Sequence, residues 1–375
     1  FMSELMLVSF FSDHPCRAAW PAHVAEPPAA ARSSLPMLYI IALPVRTLSL
    51  LDAQIAAPLK ERLWQLLSAL VESAPFRRAP ARHVLVHTST AQMSLVFGAK
   101  AASALQRAPG IITLAFEGTD GDNRRGAHVA TGRTVVVPYF TEPAELVDRA
   151  LDALAAGSAP AKLAAEFARE REYAGLGARV YMRASTGKTY GMPNVRSALA
   201  GAFEREEGAD VRLRSRLDQQ RPSTQQGAFL ATMAAMRNST FCLIPRGMTA
   251  SSRRLYESLA SGCVPVVVSD HFALPLESSQ SPLWKAAVLR QPEAEIRELP
   301  ARLRAIAPEA VKLMREAGAS LLPALTYVSG QAAGGGASAS RHILAQLHAL
   351  ALGADAGARG PAALALASSA SAPAQ

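Results

Sequence analysis

Residues 239–276 read STFCLIPRGMTASSRRLYESLASGCVPVVVSDHFALPL, and no other stretch restricts the fold as tightly. An apolar run ends at Pro245-Arg246-Gly247. A polar loop follows, then an arginine-led amphipathic segment, then Gly262 and a second apolar run ending at Ser269-Asp270. The order is strand, loop, helix, strand: a βαβ unit. Ligands of open parallel sheets collect at the carboxyl-end loops, where free N–H groups and a positive helix end favour anions. The segment predicts a site for a phosphate-bearing molecule.

At 375 residues the chain is long for a single core, and two domains are expected. Hydrophobic residues make up 50% and charged residues 18%, enough for a buried globular interior. Much of that share is alanine, which buries little area, so the core has to rest on the Leu, Val, Ile and Phe runs. No window approaches the ~20 uninterrupted apolar residues of a membrane-spanning helix. The apolar piece 5–11 is shorter still and lacks the basic flank of a signal peptide. Because Phe1 precedes Met2, the true N-terminus and any targeting segment are expected upstream. The formal charge of +9 suits nucleic acid, an acidic polysaccharide or a nucleotide diphosphate. Its carriers are scattered arginines with no basic run interleaved with aromatics. Arg124-Arg125 and the arginines of 212–216 read as solvated faces.

Cys16, Cys242 and Cys263 give no metal-ligand spacing and no disulfide framework. Cys242 and Cys263 fall on the two strands of the βαβ segment. Two buried free thiols are expected there, since a disulfide depends on a register the sequence leaves open.

Further strands are expected at 37–44, 83–87, 110–116, 134–139, 178–182 and 210–213. Helices are expected at 59–70, 142–172, 194–203, 226–237, 293–306 and 308–317. Strands separated by helices imply parallel sheet with helices on both faces. The helical pattern of 142–172 breaks at Gly157-Ser158-Ala159-Pro160, the candidate crossing between domains. From 330 onward Ala, Gly and Ser dominate, with one helix expected over 341–352 and disorder after 353. The fold class is α/β, with a Rossmann-like N-terminal domain over 1–150, a second over 151–330 and a tail over 331–375. Two such domains facing a cleft make the GT-B arrangement; a single larger doubly wound domain is the structural alternative.

Within the loop and helix, Thr249, Ser251 and Ser252 offer N-cap hydroxyls, and Gly262 suits the position after the helix. Leu255 and Leu259 lie four apart and face inward. Arg254 and Arg253 sit three and four residues before Glu257, on one side of the helix. The helix start favours a diphosphate, to which Arg254 adds a forked donor. Glu257, a turn deeper, is placed to accept from ribose hydroxyls, and Gly247 lets backbone approach the phosphates. The ordinary reading of Arg253 and Glu257 is a helix-surface ion pair worth about a few tenths of a kcal/mol. Neither a Walker loop nor G-x-G-x-x-G is present. Spacing alone ends at a phosphate-friendly helix start.

The stretch resembles the exostosin family of glycosyltransferases, whose C-terminal domains carry FCL-x-P-x-G, a helix with R-x-x-E, then GC-x-PV and an SD-containing end. It matches through Phe241-Cys242-Leu243, Pro245, Gly247, Ser252, Arg254, Glu257, Gly262-Cys263, Pro265-Val266, Ser269-Asp270 and Leu274-Pro275. Tyr181-Met182-Arg183 and Val195-Arg196 are similar to a family strand end and the helix after it. Residues 134–139 are similar to the element closing the N-terminal domain. The resemblance implies a sugar-nucleotide site lined by Arg183, Arg246, Gly247, Ser252, Arg254 and Glu257, with Pro138 and Tyr139 structural. Two positions depart from the family: Ser89-Thr90 stand where it often has His-Asp, and Ala184 where it has glycine.

What the resemblance implies is transfer of a sugar from a UDP-sugar donor to a polysaccharide or glycoprotein hydroxyl, with inversion. Such a transfer needs a base to take the acceptor's proton. Asp120 and Asp122 are the candidates, with Glu117 and His87 in the same region, although the ordinary reading of each is a loop or solvent residue. GT-B enzymes usually need no bound metal, so neither metal nor cofactor is expected. No nucleic-acid partner is expected either. The family points to the Golgi lumen, with contact to the membrane only through an anchor outside this fragment. A catalytically silent, sugar-nucleotide- or glycan-binding member acting with an active partner is the alternative.

Overall fold

Short Val-, Ile-, Leu- and Phe-rich runs bounded by turns become strands in two separate parallel sheets. The computed structural model describes residues 38–42, 53–87, 100, 110–116, 133–142, 144–174, 177–185, 194–214, 225–247, 249–327 and 338–359. The chain divides into two units, one of residues 1–138 with 327–375 and one of residues 139–326.

In the first unit β1 (Tyr39–Ala42), β2 (His83–His87), β3 (Ile112–Ala115) and β4 (Thr134–Val136) lie side by side in that order. The register pairs Tyr39 with His83, Val84 with Ile112 and Thr113 with Thr134. Every residue of β2 and β3 is buried, as strands covered on both faces require. Between β1 and β2 run α1 (Ala53–Glu72) and α2 (Ala74–Arg78). Leu63 and Leu67, four apart, are buried on α1 while Leu59 and Leu66 are exposed, which gives the helix one packed face. His83 stacks on Tyr39 and tilts against Phe76, and its Nδ1 lies 3.0 Å from the Ala79 carbonyl. Burial lowers its pKa.

The second unit opens with α3 (Ala144–Ala155) and α4 (Ala161–Ala174). Then follow β5 (Val180–Ser185), α5 (Val195–Ala202), β6 (Ala209–Arg214), α6 (Gln225–Arg237), β7 (Phe241–Pro245), α7 (Arg254–Ala260) and β8 (Val264–Val268). The unit closes with α8 (Glu277–Ala287), β9 (Leu289–Arg290), α9 (Leu299–Arg304) and α10 (Pro308–Leu325). Its five strands take the order β6-β5-β7-β8-β9, all parallel. Alternation along the strands fills two cores. Tyr181, Cys242 and Ile244 pack with α6, α7, α8 and α10, and Val180, Met182, Phe241 and Leu243 pack with α5 and α9. Each fully buried Leu, Ile or Phe there contributes about 1.5–3 kcal/mol relative to exposure.

The described residues form two parallel sheets rather than one, an α/β architecture of two units and not a single doubly wound domain. The break at Gly157 to Pro160 is a turn between α3 and α4 inside the second unit, not a crossing between domains. The chain leaves the first unit after Pro138 and returns at Tyr327, and these two residues are tied by the Tyr327 hydroxyl donating to the Pro138 carbonyl at 2.9 Å. Beyond it, α11 (Ala339–Arg359) is longer than the expected helix and belongs to the first unit. Ala339, Ile343, Leu347 and Ala351, spaced by four, are fully buried along it. Arg133 bridges from the start of β4 to the Leu350 carbonyl.

The cysteine expectation is also corrected. Pairing of Phe241 with Val264 brings Cys242 beside Cys263, their Cα atoms 5.9 Å apart, and the two form a disulfide. Pro265 fits a central strand for a local reason. The Val264 N–H donates to Thr240 on the β7 side. By alternation the missing N–H of Pro265 faces β9, whose pairing begins only at Val266.

Candidate functional site

The loop from Arg246 to Arg253 leaves the carboxyl end of β7 and leads into α7. Gly262 follows the helix at φ 70°, and the Cys263 and Gly262 N–H groups donate to the Ser258 and Leu259 carbonyls. This is a Schellman closure, which only glycine allows without strain. At the other end the Ser252 hydroxyl accepts from the Arg254 N–H at 3.3 Å, while Ser251 is held at 2.8 Å by the Tyr139 hydroxyl. The Thr249 carbonyl takes the Gly247 N–H. Of the three expected capping hydroxyls, Ser252 serves the helix.

The Arg254–Glu257 pair is not an ordinary surface pair. Glu257 is only 1% exposed at its side chain, with Arg254 Nη1 2.6 Å from Oε2 and Arg253 Nε 2.8 Å from Oε1. The expected ribose acceptor is thus, in this arrangement, a buried counter-ion for two arginines. Arg254 keeps 36% of its side-chain surface open, so a ligand can reach it. Burial alone would lower its pKa; Glu257 and Tyr181 outweigh that and raise it.

Arg183, near the end of β5, sits on the same face of the sheet. Its Nη2 is 3.7 Å from Oδ1 of Asp210, and that oxygen is held more closely, at 2.6 Å, by Arg212 Nε. The Nε and Nη2 of Arg183 are buried and make no hydrogen bond of ordinary geometry, although Asp210 and the Tyr181 hydroxyl both act on the guanidinium. Desolvation lowers the Arg183 pKa despite Asp210. Tyr181, 1% exposed, feels both Arg254 and Arg183. Burial pushes its hydroxyl up to about 12 against their pull. Its oxygen makes no hydrogen bond of ordinary geometry. A buried phenol and a guanidinium on β5 and a second, accessible guanidinium at the start of α7 therefore act on one another.

The Nε of Arg246 donates to Oε2 of Glu293 at 2.8 Å, both side chains largely buried. Glu293 and Asp270 exchange backbone-to-carboxylate bonds, and Ser269 donates to the Ala250 carbonyl. The loop after β7 is in this way tied to the loop after β8. A side chain on Gly247 would place its Cβ 2.5 Å from Nη2 of Arg196. Arg196 itself donates to the Arg246 carbonyl and to the Ser185 carbonyl and hydroxyl.

Asp120, Asp122 and Glu117 lie outside the described residues, as do Ser89 and Thr90. Asp120 and Asp122 flank Gly121 as an Asp-x-Asp triplet, a spacing that suits a divalent cation. His87 is 1% exposed at the end of β2, so it is a core residue rather than a solvent one. Among the described residues no group of three or more His, Cys, Asp or Glu side chains is placed to hold a metal ion, and no helix is long and apolar enough to cross a membrane. Sequence reasoning missed Tyr181, Asp210 and Glu293. Asp210 carried a signal, a carboxylate inside a predicted strand. Glu293, 47 positions from its partner, carried none.

Comparison with known proteins places the chain in a family. A segment of 81 residues, 22% of the chain, is 42% identical to an exostosin-1 homolog of Caenorhabditis elegans and 38% identical to exostosin-1 of Drosophila melanogaster. It amounts to 21% and 10% of those two chains, so the likeness covers a small part of each. A crystal structure of Arabidopsis thaliana UGT89C1 complexed with quercetin aligns over 83% of both chains, at 14% identity and a TM-score of 0.33. The exostosin GT47 domain matches residues 45–306, and the chain belongs to that glycosyltransferase family.

Proposed function

We propose that the protein transfers a sugar from a UDP-sugar to a hydroxyl of a polysaccharide or glycoprotein, with inversion. The observation that carries this reading is the pairing around Tyr181 of Arg183, whose buried Nε and Nη2 make no hydrogen bond of ordinary geometry, with accessible Arg254. A buried donor without an acceptor is costly, and a diphosphate supplies the acceptors. In the reaction the acceptor oxygen bonds to the anomeric carbon as the bond to the diphosphate oxygen breaks. The charge developing on the diphosphate is met by Arg183, Arg254 and the Ser252 end of α7. Asp120 or Asp122 takes the acceptor's proton. Glu257 aims Arg254. Arg246 and Gly247 support the loop.

The disulfide between Cys242 and Cys263 suits an oxidising compartment, which supports the Golgi lumen. UDP release, measured with a panel of UDP-sugars and glycan acceptors, tests the transfer. Turnover with one donor supports it; UDP binding without turnover on any pair favours the silent, partner-dependent reading. Repeating the assay in EDTA tests the metal-free expectation, and lost activity would overturn it.

A further inference from the structure

One side chain joins the ends of the two strands that carry the site. Arg196 lies in the first turn of α5, whose start is capped by Asn194 accepting from the Ser197 N–H at 3.2 Å. From there its Nη1 reaches the last residue of β5, donating to the Ser185 carbonyl at 3.0 Å and to its hydroxyl at 2.7 Å. Its Nε donates to the Arg246 carbonyl, just past β7, at 3.3 Å. Its Nη2 occupies the space over Gly247 where any other residue would carry its Cβ, 2.5 Å from that position. The guanidinium is thus a wedge between β5 and the start of the loop that leads to Ser252 and Arg254.

We propose that Arg196 is a positioning residue for the donor loop, and that position 247 is glycine to admit the Arg196 guanidinium rather than the phosphates. This rests on the donor-site reading above. Arg196 touches backbone carbonyls, which fix where the loop leaves the sheet. Because Nη2 is the far end of a flexible side chain, a Gly247→Ala chain accommodates its methyl by expelling the guanidinium and breaking these bonds. Gly247→Ala and loss of Arg196 are then the same lesion, and together they do no more than either alone.

The alternative role for Gly247, direct approach of a phosphate to bare backbone, predicts the opposite. There the methyl harms UDP binding whether or not Arg196 is present, and the two changes add.

The test is a double-mutant cycle on the full chain. It uses Arg196→Met, which keeps an unbranched aliphatic side chain without the guanidinium, together with Gly247→Ala and the pair. UDP affinity is read by calorimetry, and amide exchange is read over residues 246–253 without ligand. The expected result is UDP binding about tenfold weaker in each single variant and no weaker in the double, as for charged hydrogen bonds lost once. Exchange over 246–253 rises equally in all three variants, with the thermal midpoint nearly unchanged. Arg196→Lys, which restores a single donor, recovers part of both. Unchanged exchange in Arg196→Met, or additive losses of affinity, overturns the proposal. A wild-type chain that binds no UDP while Arg196→Met still loosens the loop overturns the donor reading and supports the wedge.

Discussion

Arg254 and Glu257 meet at 2.6 Å with the carboxylate sealed from solvent, so the helix that carries the loop's main cation is built around its counter-ion. Removing the negative charge leaves a buried amide in place of the carboxylate that holds Arg253 and Arg254, both partly open to solvent. Glu257→Gln is expected to cost about 2–3 kcal/mol of stability, well beyond a surface pair. Urea denaturation measures it, and a loss below about half a kcal/mol would return the pair to the surface class.

Arg246 is expected to behave as a structural residue. Its bond to Glu293 ties the loops after β7 and β8 together, both partners mostly buried. Arg246→Ala and Glu293→Ala should each lower stability by about 2 kcal/mol, and the double variant by little more, because each single change strands the other charge. Loss of UDP affinity in Arg246→Ala without loss of stability would restore the contact to phosphate inferred from resemblance.

The disulfide links residues 21 apart and encloses the whole loop and α7. In the loop-entropy account a closure of that length stabilises by about 3 kcal/mol. The Cys242→Ala, Cys263→Ala double variant should unfold at lower urea by that amount, and reductant should shift the wild type alone. Equal midpoints with and without reductant would show that the two thiols do not pair in solution.

Acid should weaken the first unit through its histidines. His83 and His342 both have pKa values lowered by burial from 6.5. As pH falls through 6.5 the unfolded chain takes up protons before the folded one, so stability present above that value is lost below it. His83→Phe, which keeps the contacts to Tyr39 and Phe76, should flatten the fall between pH 7 and 5 in a denaturation series. An unchanged slope would assign the loss elsewhere.

Much of the second unit was legible because its signals are local. The runs at 241–245 and 264–268, Gly262 between them and the inward Leu255 and Leu259 define the βαβ segment without reference to the rest of the chain. What was missed depends on distance or on weak side chains. The disulfide needed the register of β7 against β8. The helix of 339–359 hides half its buried face in alanine, which contributes little area and so little periodic signal. Gly157 to Pro160 reads identically as a turn between helices or a link between domains, and only the packing separates the two. Arg183 and Arg246 looked alike in sequence, each an arginine at a strand end. A carboxylate 47 residues away engages one at 2.8 Å, and an aspartate shared with Arg212 leaves the other at 3.7 Å.

That contrast between two arginines is the core of the account. Titrating UDP into the wild type, Arg183→Gln and Arg246→Gln tests it most directly. The prediction is a loss of at least about tenfold in affinity for Arg183→Gln with its fold intact, the scale of a charge-assisted hydrogen bond. Arg246→Gln should instead show lowered stability and near-normal affinity once folded. Affinity untouched by Arg183→Gln would contradict the assignment of that buried guanidinium to the diphosphate.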